Sequence, residues 1–234
     1  MTTGNDRNLP PEIKSLLKRE CLEGLRDGST LNTYELELFA WYLHETDSLT
    51  QRMQQEELHY VREQSDAGDP EPNDSGLVAA AYYSRRARYS HVIYLASLLE
   101  ASMKRECQRL IAAIGEHNVP FRAADLRGDP WTRKRKFLEG YGDFKIPSST
   151  WTPVQKLLNV RNVLVHDNGS TESMKEDQIS ALAKIPGITI FAGEVEVGPE
   201  YLLGAFQAVK GLVSFLHEKV SVVIDQEIKP RLVR

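Results

Sequence analysis

Two cysteines, Cys21 and Cys107, occur in 234 residues. That is too few for a disulfide framework or a zinc cluster, and both read as free thiols of a reducing compartment. No apolar run approaches the roughly 20 residues that a membrane span needs, so no membrane partner is expected. Met1 to Pro10 is polar and lacks the apolar centre of a secretory leader, which makes the cytoplasm the expected location. A Walker phosphate loop, a dinucleotide-binding glycine fingerprint and a Gly-x-Ser-x-Gly elbow are all missing. Glu56-x-x-His59 has the spacing of a di-iron carboxylate site, but such sites need a second Glu-x-x-His and further glutamates. Neither a metal nor a cofactor is therefore expected. The chain also lacks an excess of positive charge. Its net charge of −4 excludes a general polyanion binder and leaves any nucleic-acid contact to a local basic patch. Internal repeats and low-complexity tracts are absent as well.

What is present is helical periodicity. Apolar content of 41% and charged content of 26% suit a soluble globular chain with a real core. Pro10-Pro11-Glu12 opens a helix to about Arg26, an extension over residues 1–30, and Asp27-Gly28-Ser29 ends it. Asn32 or Thr33 can cap a second helix that runs to about Gln64. Residues 65–76, Ser-Asp-Ala-Gly-Asp-Pro-Glu-Pro-Asn-Asp-Ser-Gly, form an acidic flexible loop; it reads as the link between two long antiparallel helices rather than a domain boundary. From Leu77 to about Ile114, Val92, Leu95, Ala96, Leu99, Met103, Leu110 and Ile114 recur at the spacing of a buried stripe. The first half of that stretch interleaves Tyr82, Tyr83, Arg85, Arg86, Arg88, Tyr89 and Tyr94, a mixture that can stack bases and hold phosphates. The alternative is core tyrosines beside a solvated basic face.

A short helix from Trp131 to Gly140 carries Arg133-Lys134-Arg135-Lys136, further candidates for phosphate contact alongside Lys104. Met174 to Lys184 reads as another short helix. Alternation on both sides of Ala192-Gly193 predicts a β-hairpin over 187–197. A last amphipathic helix covers Tyr201 to about Glu227.

The most specific feature lies between Thr150 and Gly169. Thr152 and Pro153 suit an N-cap and a first helical position. Val154, Leu157, Leu158 and Val165 mark a buried stripe, and Asp167-Asn168-Gly169 marks the stop. The helix ends on Arg161-Asn162-Val163-Leu164-Val165-His166. Arg86 and His91, or Arg52 and His59, have comparable spacing, but they lie inside long helical patterns with no polar residue after the arginine and no stop after the histidine.

This ending resembles the Arg-x(4–6)-His signature of the HEPN superfamily, in its Arg-Asn-x-x-x-His form. The resemblance implies an all-α, HEPN-like antiparallel helical bundle, one domain over 1–234 with the small hairpin added. It implies a metal-independent endoribonuclease that uses the RNA's own 2′-hydroxyl as nucleophile, with a stress- or phage-defence toxin as the biological setting. RNA is then the substrate, with an antitoxin or regulatory protein as a further partner. His166 suits a proton shuttle near neutral pH, and Arg161 suits a fixed cation over the phosphorane. Asn162 would hold a phosphate oxygen or orient His166, and Asp167 would favour the imidazolium. Glu100 is the candidate acidic group from a preceding helix. Five residues at ~100° each set Arg161 and His166 about 140° apart. That separation calls for an unwound last turn or for two copies facing each other, a homodimer with a composite site. The HEPN toxins that are modified by a nucleotidyltransferase partner carry a tyrosine two residues after the histidine. Asn168 stands there instead, which sets this chain apart from that subgroup. A non-catalytic module binding RNA or a partner protein, or a purely structural helical dimerisation protein, are the other readings. Catalysis requires His166 exposed in a cleft with Arg161, whereas the structural reading expects both to be paired with local carboxylates or carbonyls.

Overall fold

The structure, a computed structural model, describes residues 29–115, 118–119 and 122–232. The helix expected up to Arg26, and Cys21 with it, lie outside those residues. The chain is all-α with a small β-hairpin. Its elements are α1 (Ser29–Asp66), α2 (Ser75–Ile114), a 3-10 turn (Ala123–Asp125), α3 (Pro130–Tyr141), α4 (Ser148–His166), α5 (Glu176–Ala183), β1 (Ile188–Phe191), β2 (Glu194–Val197) and α6 (Pro199–Leu232). The described residues divide into two compact units, with the divisions inside α1 after Tyr34, inside α2 after Leu99, between Ile146 and Pro147, and inside α6 after Leu212. Glu100–Ile146 and the stretch from Val213 belong to the first; Glu35–Leu99 and Pro147–Leu212 belong to the second. The acidic segment 65–76 lies within the second unit. It is drawn tight by Gln64, whose side-chain oxygen accepts the Asn73 N–H at 2.8 Å.

Periodicity located the faces better than the ends. Val92, Leu95, Ala96, Leu99, Met103 and Leu110 of α2 are buried as their spacing predicts, whereas Ile114 is half-buried. α1 already includes Asn32 and Thr33, so neither caps it, and α6 is longer at both ends than expected. α5 is shorter, because Met174 is spent on a turn bonded to Thr171. α3 starts one residue early, on Pro130. There the Asp129 carboxylate accepts the Trp131 and Thr132 N–H groups at 2.9 and 3.0 Å. That carboxylate satisfies donors that have no partner inside the helix.

α4 departs from expectation at its start. It begins at Ser148, so Thr152 is not its N-cap and Pro153 lies inside it. The carbonyl of Pro147 accepts both the Thr150 and Trp151 N–H groups at 3.0 Å, which adds a turn ahead of the expected cap. Pro153, the sixth residue of the helix, can donate no N–H to the carbonyl of Ser149, a residue exposed to solvent. The buried face also rotates along α4. Trp151, Val154 and Leu158 are buried near the start; Val160, Val163 and Leu164 are buried near the end. At about 100° per residue these sets lie on different sides of the helix. Val165, expected on the stripe, is 41% exposed for that reason, and Arg161 is freed to the edge of the buried face.

Candidate functional site

The helix end that carries the motif is held from three directions. Asn168 and Gly169 take left-handed backbone, with φ of +53° and +86°. The N–H groups of Asp167 and Gly169 both return to the Val163 carbonyl, at 3.0 and 3.2 Å. A Cβ at Gly169 would collide with the ring and hydroxyl of Tyr89, so glycine is demanded by both conformation and space. The Tyr89 hydroxyl donates to the Val195 carbonyl, and burial, opposed by the nearby Arg85 charge, pushes its pKa up. The Gly169 carbonyl in turn accepts the Val195 N–H at 2.8 Å, and Thr171 bonds Gly193 through both its N–H and its hydroxyl. Ala192 and Gly193, both at positive φ, make the primed turn that an antiparallel two-residue hairpin favours. The hairpin therefore clamps the end of α4.

α4 remains a regular helix through His166, and the backbone leaves helical geometry only at Asp167. The 140° separation of Arg161 and His166 therefore stands within one chain. Arg161 donates to the side-chain oxygen of Asn162 at 3.2 Å, its one polar contact among the described residues. Asn162 thus orients the arginine rather than the histidine. His166 is exposed, and no hydrogen bond or ion pair reaches it among the described residues. Asp167, expected to act on His166, instead accepts the Ser173 hydroxyl at 3.0 Å.

The other candidate residues sort by their partners. Arg85 is paired with Glu194, and with Glu196 at 2.8 Å; Arg88 bonds Asp47 at 3.2 Å and the Val197 carbonyl at 3.3 Å. Both cations are matched by carboxylates within the second unit. Arg86 differs. It donates to the side-chain oxygen of Asn168 and lies over the rings of Tyr82 and Tyr89, at 5.0 and 5.4 Å from their centroids. It thereby joins the basic, aromatic run of α2 to the end of the motif helix, and its charge meets no carboxylate among the described residues. In the first unit, Glu100 pairs with Lys134 at 2.9 Å, Arg135 with Glu139 at 3.0 Å, and Arg133 bonds the Ala124 carbonyl at 3.2 Å. Lys104 lines an open cavity of about 880 Å³ together with Arg122 and Lys134. Cys107 is buried, and burial pushes its thiol up to about 12, so it is not a nucleophile at neutral pH.

The histidines with similar spacing have other surroundings. His91 is buried with neither ring nitrogen bonded, its edges against Phe39 and Tyr42, and burial lowers its pKa. His59 is exposed beside Glu63 at 3.3 Å.

One polar cluster had no counterpart in the sequence reading. Glu106 and Arg109 are 1% and 2% exposed and pair at 2.6 Å; Arg109 also reaches His217 at 2.7 Å and Ser221 at 3.0 Å. Its signal was present, since Glu106 and Arg109 lie three apart between the buried Met103 and Leu110. A search for apolar spacing passes over charged residues on that stripe.

Fold and site together define an all-α protein in which a β-hairpin clamps a helix ending in Arg-Asn-x-x-x-His. Comparison with family models, with curated proteins and with solved structures finds no match.

Proposed function

We propose that this chain is a metal-independent endoribonuclease of HEPN type that works as a homodimer with a composite site. The observation that carries the proposal is the state of the motif pair. Among the described residues Arg161 is oriented by Asn162 alone, and His166 stands exposed without a partner at a helix end held by the hairpin. The structural reading expects both groups to be paired; among the described residues Arg161 meets only the amide oxygen of Asn162 and His166 meets no partner.

In the proposed reaction the 2′-oxygen bonds to phosphorus while the bond from phosphorus to the 5′-oxygen breaks. One His166 takes the 2′-hydroxyl proton, and the other donates a proton to the leaving 5′-oxygen. Arg161 steadies the charge on the phosphorane. Two copies supply both histidines, and a two-fold axis brings the same patch from each subunit together. The dimer also answers the 140° separation within one regular helix. Action as a stress- or phage-defence toxin is the setting that the family resemblance supplies.

The test is cleavage of single-stranded RNA in EDTA. Products should carry 2′,3′-cyclic phosphate or the phosphates derived from it, and His166→Ala should lose at least about 100-fold. An excess of Arg161→Ala/His166→Ala subunits should poison the wild type through heterodimers. Ends bearing 3′-hydroxyls, a requirement for Mg²⁺, or full activity in a monomer would refute the proposal.

A further inference from the structure

The aromatic and cationic run of α2 has been sorted by the fold, and what remains open lies beside the motif. Arg85 and Arg88 are matched by carboxylates, and Tyr89 is buried. Tyr94 belongs to a separate apolar groove with Phe39 and Trp41. Tyr82 and Tyr83 are 52% and 60% exposed, with their rings edge to face at 6.2 Å. Arg86 packs over Tyr82 and bonds Asn168, whose Cα is at most about 7.6 Å from that of His166 across two Cα steps. Among the described residues no carboxylate offsets Arg86, and no hydrogen bond occupies the hydroxyl of Tyr82 or Tyr83.

We infer that Tyr82, Tyr83 and Arg86 form a stacking platform that holds an unpaired base of single-stranded RNA next to His166. The inference rests on the ribonuclease reading for its ligand and adds residues that the motif does not contain. The chemistry is specific to an unpaired base. An aromatic face accepts any exposed base, while a duplex hides its bases within the stack. Arg86 contributes a cation for the adjoining phosphate. Because Arg86 already bonds Asn168 and lies over the Tyr82 ring, the arginine is held in place before RNA arrives. The platform thus gives the site a preference for unpaired RNA.

Binding separates this inference from catalysis when the oligonucleotide cannot be cut. A fluorescein-labelled 2′-O-methyl RNA octamer has no 2′-hydroxyl nucleophile and reports binding by anisotropy. Tyr82→Ala/Tyr83→Ala should weaken binding about tenfold or more, whereas Tyr82→Phe/Tyr83→Phe should stay within about threefold, because stacking needs the ring and not the hydroxyl. An abasic octamer keeps the phosphates and should bind the wild type as weakly as the normal octamer binds the alanine variant. The platform is overturned if the wild type fails to bind, if the alanine variant binds unchanged while circular dichroism shows it folded, or if the abasic octamer binds as well as the normal one. Tight, ring-dependent binding with no cleavage of ordinary RNA would leave the platform standing and overturn the ribonuclease.

Discussion

Replacing Arg109 with methionine should destabilise the first unit by several kcal/mol, about 3–5 in comparable buried pairs. The substitution leaves the Glu106 carboxylate, 1% exposed, without the guanidinium that pairs with it at 2.6 Å. At an effective dielectric of 20 that contact is worth about 6 kcal/mol of gross Coulomb attraction, and taking both ions out of water offsets much of it. Breaking the pair exposes the unreturned desolvation of Glu106, about 3–5 kcal/mol in comparable buried pairs. The bonds from Arg109 to His217 and Ser221 are lost with it. For a chain of this size that corresponds to a fall in Tm of roughly 6–20 °C. The double variant Glu106→Leu/Arg109→Met removes both charges and should recover most of the loss, ending about level with the wild type or above it. Urea unfolding of the four corners of the cycle yields the coupling directly. A single variant within about 1 kcal/mol of the wild type, or a double variant as unstable as the single, would refute the reasoning.

Gly169→Ala should cost at least about 2 kcal/mol, since a left-handed φ and a collision with Tyr89 act together, and urea unfolding would reveal it. Gly193→Ala also stands at positive φ but meets open space, so it should cost less; equal losses would mean that the packing against Tyr89 is unimportant. For His91, burial lowers the folded pKa below the unfolded value of 6.5, with Asp47 opposing the shift and Arg88 adding to it. Its contribution to stability is therefore complete above about pH 6.5 and is lost as pH falls, because the unfolded chain then binds the extra proton. His91→Phe keeps a ring edge against Phe39 and Tyr42, so its Tm should drop less than the wild type's between pH 7.5 and 5.5. Parallel Tm profiles would exclude that account.

Short-range physics was legible in the chain. A 3.6-residue period placed α2 and α6, and the stop at Asn168-Gly169 was read from residues that tolerate left-handed backbone. The hairpin followed from alternation about Ala192-Gly193 for the same local reason. The start of α4 was missed because a proline at 153 looks like a first position, whereas the carbonyl of Pro147 had already opened the helix. Val165 was misplaced because a stripe counted along one helix assumes a single direction of burial. In the folded chain the buried side rotates along α4.

The candidate site divides along the same line. Residue type and spacing alone selected Arg161, Asn162 and His166, since the motif lies within one helical turn and a half. Which cations stay free was decided by tertiary structure. Arg85 meets carboxylates at Glu194 and Glu196, and Arg86 meets Asn168, across intervals of 82 to 111 residues that no local period encodes. Charge pairing depends on distance in space and on what else has been buried nearby. A sequence therefore shows which groups carry charge, and only the fold shows which of those charges remain uncompensated.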